Sequence, residues 1–405
     1  MGLPRHFFLH TSCNVCFFVL ILADNCRAAS LANCLGYCIL ISSFHMIWIL
    51  FFVSFVLSWA IARYVRRRAI SSYQKTHNVS QNQPVRILPE GAGLSIVATW
   101  FFSCACLTVF TDFMPFELFM AMVPGLFLVA AIVLDEYKHF PSYFRMVVQM
   151  ASVACAMYIL GGVNALTVGG FIWNTNISVI VMNVLSFLLL TWFIDVFRFY
   201  DGIDGKEGNL AAVSIAICVA AIVFAPVSNP IFFLIPCIAG FLTRNWYPAR
   251  YLMGDACASF LGYVFAVMGV YFQSDHLVAG SVISNSNPDV NGIPFFAYMI
   301  ICFVPFFDVT YTLLRRIIAG DNFRVPTKNH LYQRMLYSGC SHRKVIFTQL
   351  LLSALMLVLA LIYRFFSDVA EVAVFLGADA LIIMGVYALW VEGRYPYVPE
   401  KKEKA

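Results

Sequence analysis

Eleven apolar runs, most of them close to twenty residues long, leave this chain few ways to fold. They cover about 46–62, 93–111, 115–134, 146–166, 177–197, 209–226, 230–243, 256–273, 295–314, 345–365 and 369–391. A run of that length crosses the hydrocarbon layer as a helix, because a helix satisfies its own backbone where no water can. Hydrophobic residues make up 61% of the chain and charged residues only 12%, so little is left over for a soluble domain. The connections are mostly short. Together these features predict an all-α, polytopic membrane helical bundle of about 11 transmembrane helices over residues 46–392, followed by a cytoplasmic tail at 393–405. No internal repeat or low-complexity tract stands out.

Acidic residues sit at the ends of these runs. The segment RFYDGIDGKEG at 198–208 holds Asp201, Asp204 and Glu207. Asp135-Glu136, Met253-Gly254-Asp255, and Asp308 with the basic stretch reaching His330 repeat the pattern. An ionisable group at a membrane boundary is expensive and points to function. Each island alone also has a bland reading. An Asp-Gly pair marks a turn, Asp135-Glu136 can be a solvated helix end, Arg315-Arg316 a topology anchor, and His330 a solvated loop residue. Their weight is joint, and it depends on sidedness. Of 26 Lys and Arg residues, all but Arg5, Arg27 and Arg364 fall in alternate loops or the C-terminal tail. Basic residues collect on the cytoplasmic side, so all four islands are expected there. The net charge of +5 then reflects topology and attraction to anionic membrane lipids, and calls for no nucleic-acid partner.

Residues 1–45 support two readings, a weak signal-like extension or a start assigned ahead of Met46. Cys13 and Cys16 lack a thioredoxin-like context. Cysteines within the apolar runs read as small packing residues.

As one site, the islands have a definite chemistry. Mg²⁺ prefers oxygen ligands and takes one or two carboxylates plus phosphate oxygens. Asp135, Asp201, Asp204, Asp255 and Asp308 exceed that need, so the remainder could act as a base or recognise a nucleotide. Gly202, Gly205 and Gly254 let a phosphate approach the backbone. Arg315, Arg316, Arg324, Lys328 and Arg334 around His330 suit a polyanion. The set reads as a membrane enzyme acting on a phosphorylated, Mg²⁺-bound cytoplasmic substrate.

These residues resemble the polyprenyl-phosphate N-acetylhexosamine-1-phosphate transferases of bacterial envelope synthesis, over about 46–345. Asn245-Trp246-Tyr247-Pro248-Ala249-Arg250 with Leu252-Met253-Gly254-Asp255 is similar to that family's N-x-x-P-A-x-x-F-M-G-D signature. DGIDG at 201–205 and Asp135-Glu136, with Arg145 and Gln149 downstream, resemble two further motifs. Residues 329–334, with Gly339 and Ser341-His342, resemble its histidine loop, and Pro89-Glu90-Gly91-Ala92-Gly93 a weaker Gly-rich motif. The resemblance implies transfer of a HexNAc 1-phosphate from a UDP-N-acetylhexosamine to undecaprenyl phosphate with release of UMP, in the bacterial inner membrane. It implies Mg²⁺, with Mn²⁺ as the alternative ion, and a homodimer among its expected assemblies. By motif position Asp255 is the metal ligand, and Asp135, Glu136 and Asp201 are catalytic. Asp204, Asn245, Gly254, His330, Arg334 and Arg316 bind substrate. The chain is most similar to the branch that starts O antigen or a related glycan, since it lacks the His-His-His run of the phospho-MurNAc-pentapeptide branch. It departs from the family at Glu136 (usually Asp), Asp195 and Arg198 (usually Asn), Leu252 (usually Phe), Cys257 (usually Gly) and Thr327 (often His), and the stretch 76–84 is barely recognisable. An intramembrane prenyltransferase would show D-x-x-x-D repeats where this chain has D-G-I-D. A transporter would show mid-span charges and inverted repeats.

Overall fold

The computed structural model describes residues 28–76, 88–111, 114–162, 166–168, 171–173, 176–201, 209–224, 230–246, 248–272, 295–321, 329–366 and 370–395. The helices are α1 (Ala28–Thr76), α2 (Leu94–Phe110), α3 (Phe116–Lys138), α4 (Ser142–Ile159), α5 (Asn176–Asp201), α6 (Asn209–Phe224) and α7 (Leu234–Asn245, entered by a 3-10 turn at Pro230–Phe233). They continue as α8 (Asp255–Tyr271), α9 (Phe295–Ile301), α10 (Phe303–Ala319), α11 (Leu331–Tyr337), α12 (His342–Phe365) and α13 (Ala370–Arg394). The chain divides into two compact units, Met1–Val53 and Ser54–Ala405. In the first, the described residues belong to α1, which is already helical at Ala28, well before Met46. Everything below concerns the second.

Among the described residues, five helices are long and apolar enough to cross a membrane, with shorter apolar helices between them. The fold is a polytopic membrane helical bundle, and each of the eleven apolar runs has a helical counterpart. Three details differ from the sequence expectation. The fourth run stops at Ile159 because Gly161 and Gly162 take positive φ (78° and 70°), and the Gly162 N–H closes on the Met157 carbonyl at 2.8 Å. The ninth run breaks at Cys302, where Pro305 has no N–H to offer the Ile301 carbonyl. A small antiparallel hairpin, β1 (Leu166–Val168) with β2 (Phe171–Trp173), adds strand to an otherwise helical chain, with Leu166 opposite Trp173.

Helix α8 is the hub. Every residue from Ala256 to Tyr271 is buried, as expected of a helix that is apolar on all sides. It packs against α2, α3, α4, α5 and α9. Helices α6, α7, α9 and α12 extend the bundle, and α10 joins α5 to α12. The Tyr263 hydroxyl of α8 donates to Ala121 O of α3 at 2.6 Å, one turn before Pro124. The first residue of this buried helix is Asp255.

Candidate active site

The loop between α7 and α8 is held by its own sequence. Asn245, buried at the end of α7, donates from Nδ2 to Tyr251 O at 2.9 Å. The Tyr251 hydroxyl turns back to Phe241 O at 2.9 Å. Burial pushes that phenol up to about 12, so it stays a neutral donor. The far side of the loop is clasped by residues 89–93. Leu252 N–H donates to Pro89 O at 3.0 Å, and Gly93 N–H to Met253 O at 3.1 Å. The backbones approach too closely for side chains. A Cβ on Gly93 would lie 2.6 Å from Cys257 Cβ, and Gly254 adopts φ +88° with Gly91 N only 3.0 Å from where its Cβ would stand. The weak Gly-rich motif and the M-G-D signature are therefore two halves of one clasp.

The clasp brings Gly91, next to Glu90, against Gly254, next to Asp255. Asp255 itself is half exposed. Arg145, from the first turns of α4, reaches Asp255 Oδ2 with Nη1 at 3.1 Å and bonds Asp135 Oδ2 through Nε. The other Asp135 oxygen accepts the Phe140 N–H at 2.7 Å. This approach requires α3 to end abruptly, and it does so at His139, whose φ of 52° is the left-handed cap. Glu136 lies in the electrostatic field of Asp255, Arg145, Glu90 and Asp135. Asp201, the last residue of α5, lies in that of Asp255 and Glu90. One arginine and five carboxylates, drawn from α3, α4, α5, α8 and the 89–93 segment, thus share one end of the bundle.

Of the residues expected from sequence, Asp135, Glu136, Asp201, Gly254 and Asp255 come together here. Asn245 is near by, with its amide engaged in bracing the loop. Asp204 lies outside the described residues, as do Gly202, Gly205, Arg324 and Lys328. Glu90 was not singled out as a site residue; its signal was its place in Pro-Glu-Gly-Ala-Gly, read only as a glycine motif. Two departures from the family pattern compensate each other. Asp195 and Arg198 form an ion pair at 2.9 Å, and Gln149 Nε2 joins Asp195 at 3.2 Å.

His330 stands in a second, buried cluster. Its Nδ1 is 3.7 Å from Asp308 Oδ1. Asp308 is fully buried and accepts the Leu331 N–H at 2.9 Å and the Tyr332 N–H at 3.4 Å, so a carboxylate from α10 caps α11. The Tyr332 hydroxyl then donates to Tyr200 O at 2.7 Å, which fastens the histidine loop to the residue next to Asp201. Arg334 is buried and bonded to Tyr395 O at 3.0 Å, with Glu392 at 3.7 Å. Arg315 also pairs with Glu392. These arginines meet the end of α13. Arg316 is buried near the end of α10, and its carbonyl accepts the Asp321 N–H at 3.0 Å.

A divalent cation suits the first cluster by donor chemistry. Among the described residues, Asp255 Oδ1 has no protein partner, while Oδ2 is shared with Arg145. Hard oxygen donors that are accessible and few in number match Mg²⁺, which keeps positions for water and phosphate. No closed group of three or more His, Cys, Asp or Glu ligands occurs among the described residues.

Comparison with known proteins agrees with this geometry. Residues 118–273, from α3 through α8, match the sequence profile of glycosyl transferase family 4. The chain is 28% identical over 259 residues to the decaprenyl-phosphate N-acetylglucosaminephosphotransferase of Mycobacterium tuberculosis, covering 59% of this chain and 61% of that protein. A Mycobacterium leprae protein of the same name is 28% identical over 256 residues, covering 58% and 61%. The Bacillus subtilis protein named "Probable undecaprenyl-phosphate N-acetylglucosaminyl 1-phosphate transferase" is 26% identical over 183 residues, covering 44% and 48%. The chain thus spans about six tenths of the length of the first of these relatives. Of the acidic cluster, Asp135, Glu136, Asp201 and Asp255 lie within the matched region and Glu90 lies before it, so the similarity to glycosyl transferase family 4 covers most of the site.

Proposed function

We propose that this protein transfers an N-acetylhexosamine 1-phosphate from a UDP-sugar to a polyprenyl phosphate and releases UMP. The observation that carries the reading is the convergence of Glu90, Asp135, Glu136, Asp201 and Asp255 with Arg145 at one end of a membrane bundle. A soluble nucleotide sugar and a membrane-embedded acceptor can meet only at such an end. In the reaction an oxygen of the lipid phosphate attacks the β-phosphorus of the donor. The bond from that phosphorus to the bridging oxygen breaks, and UMP leaves.

Each residue then has a task. Asp135, fixed through both oxygens by Arg145 and the Phe140 N–H, would position the acceptor phosphate. Asp201 lies on the donor side. Arg145 ties α3 and α4 to Asp255, so acceptor and donor sites keep one spacing. Asp255 would hold Mg²⁺, and the bound ion would neutralise the pyrophosphate and stabilise the departing UMP. His330, beside Asp308 and tied to Tyr200, would contact donor phosphates. Asp204 and the braced Asn245 loop would face the uracil.

The names of the relatives favour N-acetylglucosamine as the sugar. Initiation of O antigen or another surface glycan rests on the sequence resemblance alone, as does the bacterial inner membrane. The cytoplasmic side for the site follows from the alternation of basic residues. The test is purified protein with labelled UDP-N-acetylglucosamine, Mg²⁺ and undecaprenyl or decaprenyl phosphate. A chloroform-soluble sugar product with equimolar UMP is expected. No product from any UDP-N-acetylhexosamine would sink the reading. Reporter fusions after residues 170, 228 and 285 should report the outer face, and a cytoplasmic signal at 285 would overturn the sidedness.

A further inference from the structure

Three arginines on the other side of the signature loop play no part in the acidic cluster. Arg66 of α1 donates from Nε to Arg250 O at 3.1 Å, and Arg250 N–H donates to Arg244 O at 2.9 Å. Arg66 lies within Coulombic range of both other side chains. Like charges gathered in this way repel, and the arrangement persists because backbone bonds hold it. Among the described residues, no carboxylate lies within ion-pair distance of Arg66, Arg244 or Arg250, whereas Arg145, Arg198, Arg315 and Arg334 each have at least one. Among the described residues, nothing neutralises their positive charge.

The surroundings say what kind of anion fits. Arg66 belongs to a helix long and apolar enough to span the membrane. On that helix Arg63 lies over the Trp59 ring at 5.3 Å, and Arg68 lies over Tyr64 at 5.3 Å. Aromatic and basic residues in such alternation mark the headgroup level of a bilayer. One turn or more deeper, α1 is seated on the bundle through Ser58, which donates to Cys237 O at 2.7 Å. Val56 and Tyr64 are exposed on its outer surface. The cluster thus opens between a lipid-facing helix and the loop, at headgroup height. Basic pockets between transmembrane helices at this level hold lipid phosphates, and guanidinium groups offer them paired donors.

We propose that Arg66, Arg244 and Arg250 form a binding site for the phosphate of an anionic membrane phospholipid. A lipid seated there would brace the signature loop from its membrane side. The site does not depend on the transfer reaction proposed above.

The test is full-length protein in nanodiscs of phosphatidylcholine, with and without phosphatidylglycerol. Retained lipid is counted by native mass spectrometry, and the thermal midpoint is followed in parallel. Wild type should retain phosphatidylglycerol and melt higher in its presence. R250Q, a change at the most exposed of the three, should stay folded and bind that lipid about tenfold more weakly, and R66Q/R244Q should retain none above background. R63Q/R68Q should behave as wild type. Equal retention in R250Q and R66Q/R244Q would overturn the proposal, as would loss in R63Q/R68Q alone. It would also fall if inorganic phosphate or UMP in plain phosphatidylcholine discs gave the same arginine-dependent stabilisation, since the site would then take a free phosphate. Arginine-dependent retention of undecaprenyl phosphate without phosphatidylglycerol would assign the site to the acceptor and overturn it equally.

Discussion

The two ends of the Tyr332–Tyr200 bond differ in how they use their polar groups. Around Asp308 every carboxylate oxygen accepts from the chain itself, and the cluster is buried. Among the described residues around Asp255 the carboxylates outnumber the cations, and one oxygen of Asp255 has no protein partner. Satisfied polar groups hold a structure together. An excess of like charge at a half-exposed position costs stability unless a ligand balances it, and that is where chemistry is expected. The resemblance to known motifs did not distinguish these two uses, because both regions carry motif residues.

Mutations can break this contrast. The largest effect should come from Asp255→Asn, which removes the charge proposed to hold the ion without changing shape. A loss of roughly a thousandfold or more in turnover is expected, in protein that stays folded and inserted. Near-normal turnover would move the metal role elsewhere. Arg145→Gln comes next. It uncouples Asp135 from Asp255, and a loss of about 2 to 3 kcal/mol in transition-state stabilisation would appear as a fall in kcat/KM of about 30- to 160-fold. Arg145→Lys should recover part of it; if the glutamine variant matches wild type, the bridge is incidental.

Asp308→Asn reads the other region. An amide presents a donor to the Tyr332 N–H and leaves it unsatisfied, at a cost of about 1 to 3 kcal/mol in stability. The expected signature is a lower melting point, with donor KM rising only as far as His330 is displaced. A collapse of donor affinity at unchanged melting point would make Asp308 a direct donor contact and not a brace. The smallest effect belongs to Glu90→Gln. Glu90 is exposed, so removing its charge should shift the Mg²⁺ concentration for half-maximal rate only a few-fold, in line with the 0.2–1 kcal/mol typical of exposed charges. A shift of more than a hundredfold would promote Glu90 to a direct ligand.

How much of this was readable in the chain follows from range. Apolar runs are local, and all eleven became helices. Their ends were readable where the breaker is local, but Gly161-Gly162 and Pro305 were passed over because the apolar run continues through them. Asp135, Glu136, Asp201 and Asp255 were readable as a set because each sits at the end of a run and the runs alternate in direction, whereas Glu90 was missed and Asp308 falls in the other cluster. Partner choice was not readable. Arg334 stands beside His330 in sequence, yet its guanidinium meets Tyr395 and Glu392, some sixty residues on. Asn245 reads as a nucleotide contact in a signature, while its amide is used within its own loop. Leu252 stands where the family usually has Phe, and it is buried, with its N–H given to Pro89. A Phe there would have to displace packed neighbours, at a cost of about 1 to 3 kcal/mol.

Helix α8 has a mechanical consequence. A rod touched on all sides by other helices cannot tilt or slide unless several neighbours move with it, and Asp255 is its first residue. That carboxylate is therefore a fixed point against which the other walls of the site are measured. Any tightening around a bound donor must be made by the surrounding segments, Glu90 and its glycines and the start of α4 with Arg145 among them. Backbone amides of α8 should accordingly be the last in the molecule to exchange with deuterium, whether or not substrate is present.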